Sequence, residues 1–365
     1  MKRLLCVLSN MNAGGAETFL MKLYRNLDRE KYQMDFCINV VEKNFYEEEI
    51  ISLGGKIYRI PSKSENVKGF KKALTNIIKE NKYDYVLRIT STAMGFMDLK
   101  IAKKAGAKIC AARSSNSSDG SFIQYIVHRI GRLLYSKYVD VKFAPSDLAA
   151  AYTFGKKNYR SGKVSILHNG IDLDVFKLYP DADSFVRTEF KIPDDAVIFG
   201  HVGRFNTQKN HTFLLDIFSE IKKKESKAVL LLVGCGNLEN DIKSKAASLG
   251  ILDSIYFAGV RSDVPRIMSG MKVFIFPSFY EGMPNTVIEA QSTGLPCIIA
   301  DTITKEANIT GLVEYLPLSL SAKNWAEKAI SKVEIERKNT KDDFIEYGYD
   351  IQSVTENFVK LVVGE

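Results

Sequence analysis

Residues 273 to 300 read VFIFPSFYEGMPNTVIEAQSTGLPCIIA. The run from Val273 to Phe276 is apolar throughout, as a strand covered on both faces must be, and Pro277 ends it. A loop carrying Glu281-Gly282 follows, after which Pro284 or Asn285 begins a helix that holds Glu289 within its first turns. Gly294-Leu295-Pro296 closes the helix, and a second apolar run over 296 to 300 resumes the strand pattern. Strand, crossover helix and strand in so short a span call for a parallel sheet.

The same grammar extends in both directions. Before this unit, buried strands are predicted at 196 to 202, 228 to 233 and 254 to 258, separated by helix-length stretches. Further back, strands are expected at 3 to 9, 33 to 39, 56 to 61, 84 to 90, 107 to 112, 141 to 145 and 164 to 168, with helices near 15 to 27, 67 to 82, 94 to 106 and 122 to 138. A chain of 365 residues exceeds what one core usually holds, so two α/β domains are expected. The boundary falls between His168 and about Phe190, where Asn169-Gly170 gives a turn and the pattern turns polar and aperiodic.

The sequence holds 45% hydrophobic and 26% charged residues, and no apolar run reaches the roughly 18 to 20 residues that span a bilayer. The start has a basic flank but only a short apolar run that meets Gly14-Gly15, so it reads as a buried strand and not as an export signal. Cysteines 6, 37, 110, 235 and 297 lie far apart without CxxC spacing, a pattern for reduced thiols in a cytoplasmic protein. Charge is uneven: residues 1 to 168 carry 29 Lys and Arg against 15 Asp and Glu, net +14, and the remainder is net −6. Such a basic half suits an anionic partner, whether a membrane surface, a pyrophosphate-bearing substrate or nucleic acid, or is simply a solvated surface.

Three segments could carry chemistry. Strand 3 to 9 runs into Gly14-Gly15, where a helix with apolar residues Phe19, Leu20, Leu23 and Leu27 begins; glycine there admits a phosphate to the helix N-terminus, or merely makes a connection. Arg204 and Lys209 follow strand 196 to 202 at the ligand-binding edge of a parallel sheet, where they could neutralise a diphosphate or remain surface cations. Glu281 and Glu289 flank a helix start, where they could accept hydrogen bonds from sugar hydroxyls or serve as caps.

Taken together, these segments resemble the GT-B glycosyltransferases of family 4, over essentially the whole chain. The resemblance is carried by GGAE at Gly14 to Glu17, HNGID at His168 to Asp172, GRFNTQKN at Gly203 to Asn210, VGCGNLE at Val233 to Glu239 and EGMPNTVIEA at Glu281 to Ala290 followed by GLP, with the family's Glu-x7-Glu spacing. It implies a GT-B fold: two Rossmann-like α/β domains facing across a cleft, an acceptor-binding domain over 1–168 on which a C-terminal helix at about 347–365 packs back, and a nucleotide-sugar-binding domain over 169–346.

The resemblance further implies a retaining transferase that takes a sugar from a nucleotide-diphosphate donor such as a UDP-sugar to a lipid-linked glycan, without a metal or other cofactor. By the same resemblance Arg204 and Lys209 contact the diphosphate and Glu289 holds the ribose. Glu281 with the segment Gly282, Met283, Pro284, Asn285 and Thr286 grips the sugar and its phosphate, Gly15 lets the first lobe close on the pyrophosphate, Gly203 belongs to the donor-binding set, and Val260 and Arg261 line the base. One segment departs from the family: where many relatives read HSHN, this chain has Arg113-Ser114-Ser115-Asn116, so Arg113, Ser114 and Asn116 are candidates for the acceptor side.

Of the four histidines, His201 ends a strand near the donor segments, and none has metal-ligand spacing to another. The helix at 122 to 138 mixes Phe122, Ile126, Ile130, Leu133 and Leu134 with Arg129, Arg132 and Lys137, which suits either a membrane-surface helix or one packed on its own sheet. A nucleotide-sugar epimerase or a phosphorylase on the same scaffold and a two-lobed binding protein remain the rival readings. No nucleic-acid recognition motif is present.

Overall fold

In the computed structural model of the chain, all residues are described except Ala13 and Asn116 to Ser121. The chain divides into two units, Met1–Gly170 with Gly348–Glu365, and Ile171–Tyr347. The first change of unit comes after Gly170, two positions beyond His168, for a packing reason: any side chain at Gly170 would collide with Ile351 of the C-terminal helix. That helix, Ile351–Val362, belongs to the first unit.

The first unit holds a seven-stranded sheet of β1 (Lys2–Val7), β2 (Tyr32–Ile38), β3 (Ile57–Arg59), β4 (Tyr85–Thr90), β5 (Ile109–Ser114), β6 (Val141–Ala144) and β7 (Ser165–Ile166). Every pairing is parallel, in the order β3-β2-β1-β4-β5-β6-β7. Strand alternation splits its core in two: Leu4, Cys6 and Leu8 join Phe19, Phe36 and Phe358 on one face, while Leu5 and Val7 join Phe70, Phe96 and Phe154 on the other.

The second unit repeats the plan with β8 (Val197–Val202), β9 (Ala228–Val233), β10 (Ile255–Gly259), β11 (Val273–Phe276), β12 (Cys297–Ala300) and β13 (Val313–Leu316), in the order β10-β9-β8-β11-β12-β13, again all parallel. The edge strand β13 was not foreseen, because Glu314 and Tyr315 break the apolar run that marks an interior strand. Each sheet reverses its strand order once, between β1 and β4 and between β8 and β11. In open parallel sheets such reversals are where ligands bind, at the carboxyl ends of the strands.

Four cysteines are buried, and Cys235, in the loop after β9, is exposed. Helix Phe122–Tyr135 is only partly packed on its unit: His128 and Gly131 face inward, while Ile126, Ile130, Leu133 and Leu134 are exposed. No helix among the described residues is long and apolar enough to cross a membrane.

Candidate functional site

The residues after β8 and those after β11 meet at the order reversal of the second sheet. After β8 the chain turns through a short 3-10 helix, Thr207–Lys209, capped by the Asn206 side chain, which accepts from the Lys209 N–H at 3.2 Å. Asn210 then takes a left-handed conformation, φ 54°, which Asn tolerates better than most residues. Its Oδ1 caps the next helix, His211–Lys224, by accepting from the Phe213 N–H, and its Nδ2 donates to the Pro277 carbonyl at 3.1 Å. Gln208 adds two more links, its backbone carbonyl accepting from the Phe279 N–H at 2.9 Å and its side-chain Nε2 donating to the Tyr280 carbonyl at 2.9 Å. Sequence reading had not singled out these staples; the amide residues at 206, 208 and 210 of GRFNTQKN were their signal.

The staples bring Lys209 and Glu281 together. The Lys209 ammonium lies 2.7 Å from a Glu281 oxygen, with side chains 14% and 9% exposed, and 4.5 Å from the centre of the Phe276 ring. A half-buried pair of this kind persists because each charge would be costly without the other. Arg204 is exposed and makes no ion pair among the described residues, so its guanidinium remains open to an incoming anion. Gly203 stands above His201 and the Lys209 stem: a Cβ there would come within 3.0 Å of His201 Nε2 and 3.3 Å of Lys209 Cε.

Beneath Lys209 lie two buried histidines, with ring centres 4.8 Å apart. His201 bonds the Ile275 carbonyl through Nδ1, while its Nε2 and both His211 nitrogens have no partner among the described residues. Burial, with a contribution from Lys209, holds both neutral: His201 is pushed well below the usual histidine range and His211 down to about 4. His201 therefore sits inside the core under the site, not at its surface.

Helix Asn285–Ser292 begins directly after the Glu281 loop, with Pro284 at its N-cap. Gly282 is exposed and Met283, Asn285, Thr286 and Glu289 are half-buried around this start, where helical N–H groups favour an anion. Pro284 is buried and has no N–H, so it shapes the turn without donating. Val260 is exposed just after Gly259, while Arg261 is held by Asp263 at 2.7 Å and Glu189 at 2.8 Å.

In the first unit, Gly15 opens helix Gly15–Asn26, and a side chain there would meet open space, so the backbone is approachable. Arg113, next to last in β5, is buried. Its guanidinium lies 3.7 Å from the centre of the Phe19 ring and donates to the Asn169 side chain, with no carboxylate partner among the described residues, and burial lowers its pKa to about 9. Ser114 is equally buried, its hydroxyl 2.5 Å from that of Thr153. Arg113 thus ties the strand end to Phe19 and Asn169. Asn116 lies outside the described residues. No group of three or more His, Cys, Asp or Glu side chains able to hold a metal occurs among the described residues.

Comparison with known proteins adds an independent line. The model for Glycosyltransferase Family 4 matches residues 13–175 and that for Glycosyl transferases group 1 matches residues 183–350. The Bacillus subtilis (strain 168) protein named "Putative glycosyltransferase EpsF" is 36% identical over 363 residues, 96% of this chain and 94% of its own length. The Staphylococcus aureus capsular polysaccharide biosynthesis glycosyltransferase CapH is 25% identical, over 91% of this chain and 92% of its own. Among solved structures, Anabaena Alr3699/HepE in complex with UDP superposes with a TM-score of 0.80 at 15% identity, covering 100% of both chains. At that identity the likeness speaks to the fold, which is GT-B.

Proposed function

We propose a donor, a stereochemistry and an acceptor for this chain, which belongs to the group 1 glycosyltransferases and serves glycosyl transfer in polysaccharide biosynthesis. The donor is a UDP-sugar, the anomeric configuration is retained, and the acceptor is the hydroxyl of a lipid-linked glycan presented at an anionic membrane surface. The second unit binds the donor and the first unit the acceptor. The observation that carries this reading is the Lys209–Glu281 pair at the order reversal of the second sheet, beside an exposed Arg204 and the start of helix Asn285–Ser292.

The chemistry follows from what these groups can do. A diphosphate arriving at the helix start offers Lys209 a stronger partner than one carboxylate, and Arg204 a bidentate one. Once Lys209 turns to phosphate, Glu281 is released to accept a hydrogen bond from a sugar hydroxyl. Glu289, half-buried on the same helix, serves the ribose hydroxyls. As the anomeric bond breaks, negative charge grows on the leaving phosphate, where the two cations and the helix terminus stabilise it. That phosphate accepts the acceptor's proton as the hydroxyl attacks from the same face, so no protein nucleophile is required.

Calorimetry with UDP and turnover with a panel of UDP-sugars and a lipid-linked acceptor test this reading. Lys209→Ala should lower turnover by on the order of 10² to 10³. Glu289→Gln should chiefly weaken UDP binding, by roughly 1 to 3 kcal/mol, and Glu281→Gln should lower turnover more than UDP affinity. Because Lys209→Ala leaves Glu281 unpaired, the double variant Lys209→Ala with Glu281→Gln controls for stability: its melting temperature should recover while its turnover does not. Wild-type turnover and affinity in all three single variants would refute the assignment.

A further inference from the structure

A recess of about 370 Å³ opens between the first turns of helices His211–Lys224 and Glu239–Ser248, and its wall reaches both donor loops. Asn206 and Thr207 come to it from the loop after β8 and Phe279 from the loop after β11, yet Arg204, Lys209, Glu281 and Glu289 take no part in it. Its volume is that of a small-molecule site. Leu215 and Ile242 give it a buried apolar floor, with Leu238 half-buried beside them. Phe279 stands at this floor 45% exposed and packs on no other ring among the described residues. A large aromatic face left open beside a recess is surface for a ligand to cover.

The polar groups around the floor are also uncommitted. The hydroxyls of Thr207 and Thr212, the Asn206 Nδ2 and the Asp241 carboxylate make no hydrogen bond among the described residues. His211 closes the wall at 2% exposed, and neither of its nitrogens has a partner among the described residues; a neutral imidazole offers one donor and one acceptor, and leaving both unmade inside the protein is costly. Charge then narrows the ligand. Lys245 is the cation of the wall, and it is already engaged, with Asp216 at 2.6 Å and the Thr212 carbonyl accepting from it at 2.9 Å. Asp241 makes no ion pair among the described residues, so the recess presents a free negative charge that repels a phosphate or a carboxylate. A saccharide meets every requirement: its C–H face covers an aromatic ring, and its hydroxyls both donate to the carboxylate and exchange hydrogen bonds with amide, hydroxyl and imidazole groups.

We infer that the recess bounded by Phe279, Asn206, Thr207, Thr212 and Asp241 is a second saccharide site, separate from the donor site, that takes a short stretch of uncharged glycan or a free sugar of the same kind. The inference rests on the transferase reading for the source of the sugar, the glycan under extension. An occupant touching both Thr207 and Phe279 would join the loop that carries Lys209 to the loop that carries Glu281.

Saturation-transfer NMR on the full chain, with UDP present to fill the nucleotide site, tests it. The probes are glucose, galactose and N-acetylglucosamine, each as the free sugar and as its β-1,4-linked trisaccharide. At least one of these sugars should receive saturation; stronger binding by the trisaccharide assigns the recess to glycan, and equal binding by the monosaccharide assigns it to free sugar. Phe279→Ala should weaken that binding at least about tenfold and Phe279→Tyr should retain it, because the ring face and not the residue identity is what the sugar covers. Asp241→Ala should weaken it about tenfold as well, through loss of a charged acceptor. Since Asp241 is exposed and stands outside the donor set, this variant should keep the wild-type melting temperature and UDP affinity. Inorganic phosphate should not displace the sugar. Three results would each overturn the inference: no saturation of any probe, displacement by inorganic phosphate, or wild-type sugar affinity in both Phe279→Ala and Asp241→Ala, which would place the sugar elsewhere on the chain. Any of these alongside intact UDP binding leaves the transferase reading standing, whereas a wild-type chain that does not bind UDP removes that reading instead.

Discussion

His211 is a buried ring with no hydrogen-bond partner for either nitrogen among the described residues, beside a lysine ammonium. Its pKa in the folded protein is lowered to about 4, against about 6.5 when unfolded, so the unfolded chain takes up the proton first as pH falls. The stability that neutral His211 contributes is complete above about pH 6.5 and is lost progressively as pH drops toward 4, at up to about 1.4 kcal/mol per pH unit. His201, lowered for the same reason, adds to this slope. Melting temperatures measured from pH 7.5 to 4.5 should therefore fall steeply through the acid range, and His211→Phe should flatten the profile even if it lowers the plateau; an unchanged slope would show that the pair does not govern acid sensitivity. At this scale the sequence showed which residue types stand near the donor segments, but not the Lys209–Glu281 pairing across 72 positions, nor the burial of His201 and Arg113.

The loop after β9 shows how an element fixes a site without touching chemistry. Val233 to Gly236 runs alongside Gly203 to Phe205: the Gly203 N–H donates to Val233, the Phe205 N–H to Cys235 and the Gly234 N–H to Gly259. Gly234 has φ +133°, and a Cβ there would collide with the Gly203 carbonyl, while one at Gly236 would collide with that of Phe205. Gly234→Ala should therefore push the Arg204 loop off its position, costing about 1 to 3 kcal/mol of stability and weakening UDP binding by calorimetry. Wild-type affinity in this variant would mean that the loop tolerates the shift. Interior parallel strands were legible because they read as apolar runs; the edge strand β13 was not, because Glu314 and Tyr315 interrupt its apolar pattern. Helix Phe122–Tyr135 was legible as amphipathic, but not in which direction its apolar side faced, since periodicity carries no information about the identity of the covering surface.

Across the whole molecule, the C-terminal helix Ile351–Val362 completes the first unit, far from it in sequence. Val354, Phe358 and Val362 enter the core beside Leu4, Phe36 and Phe143, with Phe358 edge-on to Phe143 at 6.1 Å, and Tyr349 stacks on His168 at 4.0 Å. Phe358→Ala should cost about 3 to 5 kcal/mol. The single tryptophan, Trp325, lies in the core of the second unit and reports on that unit, so the far-ultraviolet transition should move to lower temperature ahead of the Trp325 fluorescence transition. Coincident shifts would show that the two units unfold as one. By itself the sequence determined the alternation of strands and helices, the two-unit plan and the segments at the strand ends, because local periodicity, glycine turns and helix starts are set by neighbours along the chain. Only the tertiary structure decided the strand order that creates a reversal between β8 and β11, the partner of each charge there, and the outward turn of the Ile126–Leu133 stripe. Those depend on which surfaces distant segments bury against one another, a competition among contacts that no local pattern encodes.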